Sequence, residues 1–167
     1  MVVIILGLPG SGKSYFAERL AKMIDAEYIN SDRLRKEIFL ICVYSDKEKA
    51  KVYDMMLQKM KDAIQHHKNL VLDATFHKNE TRKPFVTQEK ENLFFVQVWA
   101  DESIIKERLK RNRPYSDADF EVYQRLQQEW EPLEEPHLLL ESTDGNIHSM
   151  LQKAAQYLGW DDDKKTD

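Results

Sequence analysis

The chain has 167 residues, with 25 Lys and Arg against 29 Asp and Glu, so its net charge of −4 argues against a non-specific polyanion binder. Leu, Ile, Val and Phe make up roughly a quarter of it, above the ~20% below which chains tend to stay disordered, and a single packed domain is expected. One cysteine, Cys42, excludes an internal disulfide and the four-thiolate and Cys2His2 zinc patterns. No apolar run approaches the ~18 residues of a membrane span, and the N-terminus lacks signal-peptide character, so a soluble, cytoplasmic protein without a membrane partner is expected.

Met1–Leu6 is a continuous apolar, β-branched run stopped by Gly7, which predicts a strand buried on both faces of a parallel sheet. Phe16, Ala17, Leu20, Ala21 and Ile24 recur at helical spacing and predict a helix over Lys13–Ile24. Tyr28–Asn30 reads as a weak second strand and Arg33–Leu40 as a short helix. Ser45 with Glu48 three residues on reads as a capping box opening a long helix to about His66. A third strand at Asn69–Asp73, a helix at Asn79–Glu89 and a fourth strand at Leu93–Trp99 follow. Asp101–Asn112 reads as a helix ended by Pro114, and Ser116 as the cap of another, with Asp117 and Asp119 in its first turn. His137–Leu140 is a fifth strand, Asn146–Leu158 a closing helix ended by Gly159, and 161–167 a charged, frayed tail. The alternation predicts an α/β fold: a five-stranded parallel sheet with helices on both faces over residues 1–160, and a small helical lid at about 101–120.

Gly7-Leu8-Pro9-Gly10-Ser11-Gly12-Lys13-Ser14 satisfies G-x-x-x-x-G-K-[ST] and holds three of the chain's five glycines. In such a loop Gly7, Pro9, Gly10, Ser11 and Gly12 are expected to surround the phosphate oxygens, with the backbone N–H groups of all but Pro9 available to turn inward, and a helix N-terminus adds positive charge. Lys13 would reach the β- and γ-phosphates of ATP and the Ser14 hydroxyl would ligate Mg²⁺. After Gly12 the next glycine is Gly145, so the Asp-x-x-Gly switch of GTPases has no place. Leu70-Val71-Leu72-Asp73-Ala74 ends in an Asp without the following Glu that activates water in many ATPases, which favours transfer to a bound hydroxyl. Asp73 is expected either to hold Mg²⁺ or to cap the turn that follows it.

Asn30-Ser31-Asp32-Arg33-Leu34-Arg35 places Asp32 on the same sheet edge as a catalytic base, or alternatively as an N-cap, with Arg35 one turn on to hold an anionic acceptor group. Lys106, Arg108, Lys110, Arg111 and Arg113 crowd the segment before Pro114. Arg108 and Arg111, on one helical face, would close over ATP, or else form a solvated face paired with Glu102 and Glu107. The five histidines lack ligand spacing and read as surface or structural, and Trp99 at a strand end would border the nucleotide.

Taken in order, these four segments resemble the single-domain P-loop kinases related to polynucleotide 5′-kinase, over Val2 to about Leu140. The resemblance implies a P-loop NTPase fold and ATP- and Mg²⁺-dependent phosphorylation of a polynucleotide 5′-hydroxyl. In that likeness Asp32 activates the hydroxyl and Arg35 grips the neighbouring phosphate; Arg33 stands where those enzymes often carry a second Asp. Kinases of sugars, antibiotics and nucleotide sugars share the fold, so a small-molecule acceptor is the alternative. A non-catalytic nucleotide-binding module is the alternative of another class.

Overall fold

The computed structural model describes residues 1–113 and 116–160; Pro114, Tyr115 and the 161–167 tail lie outside the described residues. Five strands, β1 (Val2–Leu6), β2 (Glu27–Asn30), β3 (Leu70–Ala74), β4 (Leu93–Trp99) and β5 (His137–Glu141), form one sheet in the order β2-β3-β1-β4-β5. Every pairing is parallel, as expected. Helices α1 (Lys13–Met23), α2 (Ser31–Ile38), α3 (Asp46–Gln65), α4 (Asn79–Val86), α5 (Glu102–Leu109), α6 (Phe120–Gln128) and α7 (Ile147–Leu158) connect or flank the strands.

The period-two alternation of an extended chain splits the apolar run of β1 between two cores. Val2, Ile4 and Leu6 join Leu70 and Leu72 of β3 under α3, which contributes Val52, Met56 and Met60. Val3 and Ile5 join Val71, Val96 and Val98 beneath α1 and α7, which contribute Phe16, Leu20, Met150 and Ala154. Sandwiching β1 and β3 in this way removes all five side chains of each strand from water. A third, smaller cluster of Ala100, Ile105 and Tyr123 seats α5 and α6 beside the loop after β1.

Several boundaries differ from the sequence expectation for local reasons. The second helix begins at Ser31, two residues early, because Asn30 Oδ1 accepts from the amides of Asp32 and Arg33 and caps it. Ser45 Oγ does accept from Glu48 N at 3.2 Å, but the box is half made: the Glu48 carboxylate turns to the amides of Val43 and Tyr44, each at 2.9 Å. α4 stops at Val86 instead of Glu89. Pro84 removes one amide from the helix, and Glu89 Oε1 collects the amides of Lys90, Glu91 and Asn92 in a turn of its own. α5 ends at Leu109, three residues short of Asn112, and Asp119, not Ser116, caps α6 by accepting from Val122 N at 2.9 Å. Asp117 therefore precedes the helix. Gly159 closes α7 in the left-handed conformation.

The parallel registry aligns the functional ends. Asn30 of β2 lies opposite Asp73 of β3, and Leu6 opposite Ala74, so the segments after β1, β2 and β3 leave the sheet on one edge. The loop after β1 emerges between β3 and β4, where the chain's connections run to opposite sides, the usual crevice for ligands in open parallel sheets.

Candidate active site

The loop Gly7–Gly12 wraps from the end of β1 into α1. Gly12 caps α1 with φ +88°, a left-handed conformation costly for any other residue, and a Cβ there would lie 2.5 Å from Ser142 Oγ. At Gly7 a Cβ would lie 2.3 Å from the Val98 carbonyl oxygen, so a side chain would push the loop off β4. No side chain caps α1 and its first turn holds no acid, which leaves the amides and positive end of that helix free for an anion.

Two cavities flank this loop. The larger, about 610 Å³, is lined by Gly10, Gly12, Lys13 and Ser14, by Asn30 and Asp32, by Arg108, Arg111 and Arg113, and by the Ser142–Asp144 loop after β5. The second, about 410 Å³, lies on the α2–α3 side and is lined by Pro9, Arg35, Tyr44, Tyr53, Thr75 and His77 among others. Lys13 and Asp32 line both. Of the loop residues expected around phosphate, Gly7 and Ser11 face neither space. They line a small cavity behind the loop together with Trp99, which therefore does not border the larger one.

Asp73 is fully buried. Its Oδ2 accepts from the Tyr28 hydroxyl at 2.7 Å and from the Asn30 amide at 2.6 Å. The same amide lies 3.3 Å from Ser14 Oγ, so one side chain links the loop serine to the strand-end carboxylate. Asp73 Oδ1 has no hydrogen-bond partner among the described residues. These contacts overturn the alternative in which Asp73 caps the following turn. They also raise the Tyr28 hydroxyl pKa, through burial first and the adjacent Asp73 charge second. A serine hydroxyl and a carboxylate with one unpartnered oxygen, linked through the Asn30 amide, are hard donors of the kind that suits Mg²⁺, which keeps most of its shell for water and phosphate.

Because Asn30 takes the capping role, Asp32 is freed from it. Asp32 sits in the first turn of α2 and holds Arg35 Nη1 at 3.2 Å. Burial raises its pKa above the ordinary carboxylate range, while the charges of Lys13, Arg35 and Arg113 pull the other way. About a third of its side chain remains accessible from the cleft, so it is desolvated by surroundings and still reachable. Arg35 is 9% exposed, lies 4.8 Å from the centre of the Tyr44 ring, and keeps a buried Nε without a partner among the described residues.

The basic segment divides. Arg108 donates to the Gly10 carbonyl at 3.3 Å and Ser142 Oγ at 3.2 Å and pairs with Asp144 at 3.2 Å, bridging the loop to the segment after β5. Lys110 pairs with Glu107 at 2.7 Å on the solvent side. Arg111 lines the larger cavity from an exposed position. Arg113 stands closer to the centre than sequence spacing indicated: half-buried, it donates to the Ala118 carbonyl and its charge acts on Asp32. The helix ends before it, so helical-face counting passed it over.

His77, read from the sequence with the other histidines as surface or structural, is buried at the wall of the smaller cavity with Nε2 3.4 Å from Glu129 Oε2. Burial and the Lys49 charge push its pKa down to about 4. No group of three or more His, Cys, Asp and Glu that would hold a metal by protein ligands alone occurs among the described residues. No helix among them is long and apolar enough to cross a membrane.

A five-stranded parallel sheet with this loop at its crevice and two cavities meeting at a lysine defines a P-loop protein of the kinase fold. The family model described as AAA domain (AAA_33) matches residues 2–133, and the chain belongs to that family. Solved structures share its whole architecture. A sugar kinase from Janibacter sp. HTCC2649 superposes with a TM-score of 0.75 at 16% identity, covering 99% of this chain and 98% of that one. A gluconokinase from Sinorhizobium meliloti 1021 gives 0.72 at 18%, covering 95% and 91%. A shikimate kinase from Acinetobacter baumannii, in complex with shikimate, gives 0.66 at 14%, covering 99% and 95%. At such identities the likeness establishes the fold alone. Comparison with curated protein sequences found no match.

Proposed function

We propose that the protein is an ATP-dependent phosphotransferase whose acceptor is the hydroxyl of a small molecule. The observation that carries this reading is the meeting of two cavities at Lys13 and Asp32. The larger takes the nucleotide, with its phosphates on the amides of Gly10, Gly12, Lys13 and Ser14. The smaller takes the acceptor. At about 410 Å³ it falls near the lower end of the ~300–1,000 Å³ typical of small-ligand sites and is lined by residues of four different elements. Relatives of the same fold named for sugars, gluconate and shikimate support this acceptor class. The polynucleotide 5′-hydroxyl expected from the sequence finds no support among them and gives way to this reading.

In the reaction Asp32 accepts the proton of the acceptor hydroxyl as its oxygen bonds to the γ-phosphorus, the bond from that phosphorus to the β,γ-bridging oxygen breaks, and ADP leaves. A carboxylate with a raised pKa is a better proton acceptor than an ordinary one. Lys13 lies at the junction of the cavities to neutralise charge on the transferring group, with Arg108, Arg111 and Arg113 lining the same larger cavity. Ser14 and Asp73 would hold Mg²⁺, the Asn30 amide fixing their spacing. The ion when bound neutralises charge on the β- and γ-phosphate oxygens. The ion pair with Arg35 at 3.2 Å holds one oxygen of the Asp32 carboxylate in place.

The test is ATP consumption with Mg²⁺ in the presence of sugars, sugar acids and cyclic polyols, with 5′-hydroxyl oligonucleotides in parallel. Acceleration by a small hydroxyl compound, lost in Lys13→Ala and Asp32→Ala, is expected. Labelling of oligonucleotide ends in preference would restore the polynucleotide reading, and tight ATP binding without any accelerating acceptor would favour a nucleotide-binding module.

A further inference from the structure

Beyond its reacting end, the acceptor cavity carries a second chemical feature. Lys49, in the first turn of α3, and Lys78, which precedes α4, both line it, and both are partly buried. They come from segments far apart in sequence, so their convergence is made by the fold. After burial itself, the Lys78 charge is the strongest influence lowering the Lys49 pKa. Among the described residues neither ammonium forms an ion pair within 4.0 Å. The carboxylates of Asp46, Glu80 and Glu129 act on Lys49 only at longer range, and Glu129 lies against His77. Arg35, by contrast, is already engaged by Asp32 and by the Tyr44 ring.

Two ammonium groups lining one confined space without close ion-pair partners repel each other. An oxyanion between them replaces that repulsion with two charge-assisted hydrogen bonds. We infer that the acceptor is a small hydroxy compound bearing a carboxylate or phosphate, with that oxyanion seated between Lys49 and Lys78 while its hydroxyl lies at Asp32. This rests on the phosphotransfer reading above and adds the charge of the substrate and the residues that select for it.

Binding of the anion is separable from turnover. Inorganic phosphate is titrated by calorimetry into protein saturated with AMPPNP and Mg²⁺, which occupies the loop after β1. Wild type is expected to take up phosphate, and Lys49→Met/Lys78→Met to bind it at least tenfold more weakly. Lys47→Met, on the same helix but outside the cavity, should leave the affinity unchanged, and unaltered AMPPNP affinity reports that each variant is folded. No phosphate uptake by wild type, or equal uptake by the double variant, overturns the inference. Turnover is then measured with gluconate against glucitol and glucose 6-phosphate against glucose, which also separates carboxylate from phosphate. The charged member of one pair should be preferred at least tenfold in kcat/KM, the double variant losing this through KM. Preference for a neutral member also overturns it. Phosphate bound at Lys49 and Lys78 without turnover of any acceptor supports the anion site and instead contradicts the phosphotransfer reading.

Discussion

Asn30 faces Asp73 across the β2–β3 ladder and donates its amide to Asp73 Oδ2 at 2.6 Å, while its own Oδ1 caps α2. One side chain therefore serves the strand-end carboxylate, the helix that carries Asp32, and, at 3.3 Å, the Ser14 hydroxyl.

Asn30→Ala removes both functions and Asn30→Ser only the amide. A lost cap costs about 1 kcal/mol, and a lost buried hydrogen bond to a charged acceptor about 1.5–3 kcal/mol. Urea unfolding should rank wild type above Asn30→Ser above Asn30→Ala, the two variants about 1 kcal/mol apart. Equal stability of the two variants would show that the cap contributes nothing.

Lys13→Ala is expected to lower kcat on the order of 10³-fold through lost charge stabilisation of the transferring group. Asp32→Ala should abolish transfer while ATP binding persists. Single-turnover kinetics and equilibrium nucleotide binding separate these outcomes; turnover within about threefold of wild type would remove either residue from the chemistry.

Asp32 is held above its ordinary pKa by burial, with Arg113 among the charges that limit the rise. A proton acceptor must be ionised, so kcat/KM should climb with pH through that raised pKa, and Arg113→Ala should move the limb to higher pH. Stability runs the other way. The native state binds the proton more tightly than the unfolded chain, so this carboxyl's contribution is full below the unfolded pKa and lost as pH rises through the native one. Asp32→Asn should thus gain stability relative to wild type at neutral pH, and the gain should vanish in acid.

His77 has the opposite linkage. Its native pKa is pushed down to about 4 by burial and Lys49, against about 6.5 in an unfolded chain. Its contribution is present above the unfolded pKa and lost as pH falls towards the native one. Unfolding measured from pH 7 to pH 4 should show a steeper acid loss in wild type than in His77→Gln; parallel curves would mean that His77 is not held neutral.

Arg82 is 1% exposed and joins α4 to the segment after α6. Its guanidinium donates to the carbonyls of Phe76 at 2.6 Å, Glu131 at 2.6 Å and Pro132 at 3.0 Å. Arg82→Met leaves these buried acceptors unpaired at about 1–3 kcal/mol each. A loss on the order of 3 kcal/mol or more is expected in denaturant titration. Arg82→Lys should recover little, because a point ammonium cannot span three acceptors.

Much of this molecule was legible in one dimension. Strand burial followed from uninterrupted β-branched runs, α1 from its helical repeat, and the loop after β1 from three glycines and a lysine whose spacing has a single geometric use. Local signals failed where a side chain had two possible partners. Glu48 chose the Val43 and Tyr44 amides over the capping box, and Asn30 took the cap that Asp32 was equally suited to fill.

What the sequence by itself determined is the order of elements and the residue types of a phosphate-binding edge, because both depend on interactions within about eight neighbours. Only the tertiary structure decided which distant groups meet. It set Asn30 against Asp73, brought Arg113 to bear on Asp32, buried His77, and turned Lys49 and Lys78 towards one cavity. The reason is physical: burial and charge proximity, which set the chemistry of these groups, are properties of parallel strand registry and helix packing and have no counterpart in sequence separation.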